Sequence, residues 1–241
     1  MREFFKRVED DGSEIYIESD MSAYGYSERY SWLFSVFIKF DADKNSKDSF
    51  EEFLETKEAL IIAIEHEGSA KYVGSRVVDG WNELYFYAED SKALNAIVSK
   101  MLSNSGYVYE SNVVKDAKWD FHYKHLVPSE LESAHIQSEK IIFLLEEEGD
   151  ELSKPRIVEH YVSFATPTQK ERFLETLSLD GFRFKDEISS DDFENGLALV
   201  KEHAVTENEV KQVVEELFEV LKKEQGYYEG WSTTLANDDS E

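Results

Sequence analysis

The chain has 241 residues with 26 Lys plus Arg, 52 Asp plus Glu and no Cys, for a formal net charge of -26. The lack of cysteine excludes disulfides, thiolate metal sites and a cysteine nucleophile. The charge argues against direct binding of nucleic acid, whose phosphates it repels, and favours a basic protein surface as partner.

The amino terminus, MREFFKRVEDDGSE, carries charges where a signal sequence has an apolar stretch, and no later run reaches the roughly 18 apolar residues of a membrane span. A cytoplasmic protein without membrane contact is expected. A first strand is predicted over residues 14–19, at a sheet edge. Residues 30–40 then alternate, with Tyr30, Trp32, Phe34, Val36, Ile38 and Phe40 on one side, as a strand with one buried face does. A helix follows, capped by Ser49 with Glu52 and stopped at Gly68, with Phe50, Phe53, Leu54, Leu60, Ile61 and Ile64 at helical spacing. Two strands at 71–78 and 81–88 flank Asp79-Gly80, a hairpin turn. A helix over 91–103 and a strand over 107–114 complete a β-α-β-β-α-β order.

Few apolar residues fall between 124 and 130, and Pro128 disfavours helix at the residue before it, so domains of 1–127 and 128–241 are expected. The second domain opens with a helix over 129–148, with a Ser129–Glu132 capping box and a stop at Gly149. Residues 156–165 read as a strand. Thr166 caps the next helix, with Pro167 at its first position and Gln169 three residues after the cap; Gly181 lies near its end. Strands at 182–189 and 196–203 follow. Thr206 with Glu209 then opens a helix whose Val210, Val213, Val214, Leu217 and Leu221 form an apolar stripe. Gly226 is expected to end it before a last strand at 227–235, and the tail from Ala236 is expected to be disordered. The order repeats, which predicts an α+β protein of two tandem ferredoxin-like βαββαβ sandwiches, antiparallel sheets with helices on one face.

In the second half, the acidic helix ending LLEEEGD, the strand VEHYVSF at 158–164, Gly181-Phe182 and above all GYYEGWST at 226–233 resemble the regulator of ribonuclease E activity B family. Glu229 stands where that family more often has Asp. The first half, through Gly80-Trp81 to Tyr87 and the segment 119–123, looks like a family of unknown function often fused ahead of such a domain. The resemblance implies a non-catalytic regulator whose partner is an endoribonuclease of the ribonuclease E type. Tyr228, Glu229 and Trp231 of the resembling strand, with Glu146, Glu147 and Glu148 of the acidic helix, are the residues nominated for partner contact. Residues after Pro128 hold 28 acids against 11 bases, net -17, so this half carries more of the field.

Other motifs add no chemistry. His122 and His125, near Asp116 and Asp120, put two imidazoles on one helical turn, yet the HExxH pattern is missing, and no metal or other cofactor is expected. His160 shares a strand face with Val158, Val162 and Phe164, which predicts a hydrogen-bonded core histidine. Asp191-Asp192 and Glu146 to Glu148 read as solvated faces. Phosphate-loop glycine patterns and the GxSxG elbow are missing. Trp231, placed by alternation on a face with Tyr227 and Leu235, is either a core tryptophan or an aromatic anchor at an interface. Small-ligand binding or an enzyme, using the open sheet faces or the domain junction, is the alternative function, and an adaptor joining two proteins a third.

Overall fold

The computed structural model describes residues 2–9, 11–40, 46–67, 70–90, 92–177, 181–189 and 194–236. The expectations at Gly68, Ser91, Asp191, Asp192 and Asn237 onward lie outside them. The chain divides into two units, Met1–Pro128 and Ser129–Glu241.

The first unit runs β1 (Arg2–Val8), β2 (Glu14–Asp20), β3 (Trp32–Lys39), α1 (Lys47–Glu67), β4 (Ala70–Val78), β5 (Trp81–Ala88), α2 (Leu94–Leu102), β6 (Tyr109–Lys115) and α3 (Asp120–His125). Its sheet has the order β1-β2-β4-β5-β3-β6, antiparallel throughout. From β3 to β6 this is the ferredoxin-like order, the first strand lying between the third and fourth. The Asp79-Gly80 turn has φ of 49° and 71°, the doubly left-handed geometry of a type I′ hairpin.

Three local expectations shift. Residues 14–19 are not the edge, because β1 pairs outside them with Phe4 opposite Glu18; Arg2, Glu3, Lys6 and Arg7 hide that strand from a reading based on hydrophobicity. The hydroxyl that accepts from the first turn of α1 belongs to Ser46, bonded to the Ser49 backbone N–H at 3.2 Å, so Ser49 and Glu52 lie inside the helix. The third shift concerns layering. α1 and α2 cover one sheet face through Phe53, Leu60, Ile61, Ile64, Ile97 and Val98. The other face is buried as well, against a 3-10 turn at Met21–Tyr26 and α3, in a cluster that includes Ile17, Leu33, Tyr85, Tyr87 and Trp119. That explains why β5 is buried at each position from Leu84 to Ala88.

The second unit runs α4 (Glu130–Glu147), β7 (Arg156–Phe164), α5 (Pro167–Thr176), β8 (Arg183–Ile188), β9 (Asn195–His203), α6 (Glu207–Glu224) and β10 (Gly226–Thr233), with sheet order β10-β7-β9-β8. The predicted caps form: Ser129 and Glu132 make a reciprocal box, and Thr166 and Thr206 accept from the N–H of Gln169 and Glu209. Each such cap contributes about 1 kcal/mol. All five residues of the α6 stripe are buried.

Gly226 does not terminate α6. Gln225 takes the left-handed position, φ 55°, and Gly226 opens β10, where a Cβ would lie 2.6 Å from the Phe164 ring and 2.8 Å from Leu221. Close packing, rather than backbone freedom, requires glycine there. The tail expectation is also corrected at its start, since Ala236 donates its N–H to Asp150 at 2.8 Å and accepts from the Glu151 N–H at 3.0 Å.

Candidate functional site

β10 is an edge strand, and its pairing with β7 slips by one residue between Tyr228 and Gly230, whose φ is 128°. A bulge of one residue reverses the alternation beyond it. Trp231 therefore faces the helices together with Tyr228, while Tyr227, before the slip, is 50% exposed, and Leu235, past the end of β10, is 47% exposed; the expected shared face of Trp231 with Tyr227 and Leu235 is overturned. Trp231 is buried among Ile142, Val158, Val205, Val210 and Val214. Its indole N–H donates to Ser138 Oγ of α4 at 3.0 Å, and that hydroxyl donates to the Ala134 carbonyl at 2.8 Å. Of its two readings, this geometry is the core one.

Tyr228 is half-buried and ends a chain of polar contacts through the core. Its hydroxyl lies 2.9 Å from His160 Nδ1, His160 Nε2 lies 3.1 Å from His203 Nε2, and His203 Nδ1 lies 2.6 Å from the Ala204 carbonyl. A carbonyl only accepts, so His203 Nδ1 carries a hydrogen; with both rings neutral, His160 Nε2–H donates to His203, and the Tyr228 hydroxyl donates to His160 Nδ1. Burial, and then the charges of His203 and Lys201, hold the pKa of His160 down to about 3. Burial first also lowers that of His203 and raises that of the Tyr228 phenol. His160 is thus a hydrogen-bonded core histidine.

Glu229 is the bulged residue, exposed on the helix-free face of the sheet, where it accepts from the Ser163 hydroxyl. Tyr161, bonded to Ser232 at 2.7 Å, and the Lys185–Glu159 ion pair share that polar face. Glu146, Glu147 and Glu148 are exposed at the other layer, at the end of α4, which has no basic residue in its last turn. Carboxylates at the negative pole of a helix are destabilising by about 0.3 to 1 kcal/mol each, so this end of α4 is not optimised for its own stability. The fold does not join the two nominated groups: Glu229 lies beyond the sheet, the three glutamates on the helix layer.

Glu146 does join residues that, apart from the Thr206 cap, were not singled out from the sequence. With Glu139, Ile142, Phe143, Leu152, Thr206, Glu207 and Asn208 it lines a half-open groove between α4 and the start of α6. The signal was the run IIFLL at 141–145, wider than the stripe one helix face can bury; Ile142 is inside, whereas Phe143 and Leu144 are 59% and 62% exposed. Partial burial, then the neighbouring Glu207, raise the pKa of the Glu139 carboxyl.

In the first unit, His122 is buried edge-on against Trp119 at 5.2 Å, and burial depresses its pKa to about 4. The His125 ring lies tilted against Phe121, centroids 4.7 Å apart. Among the described residues no group of three or more His, Asp or Glu is placed to hold a metal ion, and no helix is long and apolar enough to cross a membrane.

Against this geometry, comparison with known proteins gives two family matches. The model described as regulator of ribonuclease activity B matches residues 135–233, and that of a family of unknown function, DUF695, matches residues 2–127. No curated protein matches. A solved structure of an unknown protein from Galdieria sulphuraria is 12% identical, covering 86% of this chain and 99% of that one with a TM-score of 0.21, a likeness too low to carry an argument.

Proposed function

The chain belongs, through residues 2–127, to the DUF695 family of unknown function, and we propose that its activity lies in the other unit, as a non-catalytic inhibitor that docks on a ribonuclease E type endoribonuclease. The observation that carries this is the match of residues 135–233 to the regulator of ribonuclease activity B. The contact is electrostatic: the net -17 after Pro128 attracts a basic segment of the enzyme and competes for charge that otherwise holds RNA. The non-catalytic part is supported by the second unit's most perturbed histidine: His160 sits in the core with both ring nitrogens in hydrogen bonds. The protein acts in the same cytoplasmic compartment as the nuclease.

Titration calorimetry of the full chain with a purified ribonuclease E type enzyme, at low and high salt, tests the reading, together with an RNA cleavage assay. Binding that weakens with salt and slows cleavage is expected, because exposed charges are screened beyond about 8 Å at physiological ionic strength. No binding at low salt overturns it.

A further inference from the structure

We infer that the groove between α4 and the start of α6 receives a cationic amphipathic segment of a partner protein, its apolar side chains on Ile142, Phe143 and Leu152 and its Lys or Arg side chains on Glu139, Glu146 and Glu207. This rests on the reading of the second unit as a protein-binding regulator, and it names the place and chemistry of the contact. Glu139, Ile142, Phe143 and Glu146 are spaced i, i+3, i+4 and i+7, so they share one face of α4. Its rise puts the two carboxylates about 10 Å apart with the apolar pair between them. About three residues of extended chain span that distance.

Charge complementarity selects the occupant. Among the described residues, no cation makes an ion pair or hydrogen bond with Glu139, Glu146 or Glu207. Lys211, one turn along α6 from Glu207, attracts Glu139 only at longer range, and the Glu139 carboxyl stays raised despite it. At the head of α6, the positive pole is already met by the Thr206 cap and by Glu207 and Glu209 in the first turn. A point cation is disfavoured by the spread of the carboxylates, which form no metal-holding group among the described residues. The exposed Phe143 ring beside them calls for an occupant that is apolar as well as positive.

The test uses the full chain with two partners: the purified ribonuclease E type enzyme, and a synthetic amphipathic peptide of leucine and lysine with a leucine and glutamine counterpart. The variants are Glu139→Gln with Glu146→Gln, Phe143→Ala, and Glu171→Gln, exposed on α5, as control. The exposed position of Phe143 lets its variant fold, which an unchanged melting temperature verifies. Wild type is expected to bind the lysine peptide and not its counterpart. The double variant and Phe143→Ala should each lose about tenfold in affinity, while Glu171→Gln keeps it. Equal peptide affinity for wild type and the groove variants, or equal binding of the two peptides, overturns the inference. The enzyme separates the two claims: if it binds wild type and groove variants alike, the groove is wrong and the regulator reading stands. If it does not bind wild type while the lysine peptide binds in the groove, the regulator reading is wrong and the groove stands.

Discussion

A single hydrogen lies between His160 Nε2 on β7 and His203 Nε2 on β9, 3.1 Å apart, and it links two neutral rings inside a sheet-helix core. Protonating either ring puts a charge where burial already disfavours it. In the unfolded chain both rings titrate near 6.5. The unfolded state therefore binds more protons below that pH, and stability falls as pH drops from about 6.5 toward the folded value of about 3 for His160.

The prediction is a decline of up to about 1.4 kcal/mol per pH unit for each ring below pH 6. Loss of carboxylate repulsion on acidification acts in the opposite direction, so the comparison is with His160→Gln. Urea unfolding at pH 7 and pH 5 should show a smaller pH dependence in the variant. Parallel curves for the two proteins would count against the neutral pair.

Trp231→Ala is expected to lose about 3 to 5 kcal/mol, because it empties the space between α4, α6 and β10. Trp231→Phe keeps most of the apolar contact and loses the bond to Ser138, a smaller cost of about 1 to 2 kcal/mol. Chemical denaturation checks both. An alanine variant as stable as wild type would return Trp231 to the interface reading.

Asp150 and Arg156 form a two-bond pair at 2.6 Å each, with the Asp150 side chain fully inside, and Arg156 also donates to the Thr234 and Glu151 carbonyls. With the Ala236 N–H on Asp150, the pair fastens the chain after β10 to the loop after α4. Arg156→Met leaves the carboxylate buried and unpaired and should cost about 3 kcal/mol. Hydrogen exchange should quicken first at residues 234–236. Unchanged protection there would show that the pair does not hold this segment.

Residues 1–128 and 129–241 should each unfold cooperatively when expressed alone, since each unit has its own clusters, Phe34 with Ile61 and Tyr87 with Trp119 in the first, Val162 with Leu217 and Val158 with Trp231 in the second. Thermal unfolding followed by circular dichroism checks it. If neither fragment shows a cooperative transition, the two units are not independent domains.

What was legible in the sequence was local. The βαββαβ order within each unit, the Ser129–Glu132 box, the Thr166 and Thr206 caps, the Asp79-Gly80 turn and the α6 stripe each depend on residues within a turn or two of one another, where periodicity and capping chemistry act. The resemblance carried by residues 226–233 was readable for the same reason, as a contiguous string. The acidic bias and the missing cysteine needed no fold at all.

Tertiary structure decided whatever depends on register between distant segments. Charged β1 becomes a strand because β2 offers it an edge. Trp119, which the sequence offers only as part of a segment resembling a family of unknown function, is a core residue because β5 presents Tyr87 to it at 4.0 Å. Gly226 is needed for the approach of Phe164, 62 positions back in the chain, and not for the end of its own helix. The one-residue slip at Glu229 turns Trp231 inward and leaves Tyr227 outside, because strand faces alternate every residue and a single inserted position exchanges them. Alternation along one strand does not reveal such an insertion; only the pairing of β10 with β7 does.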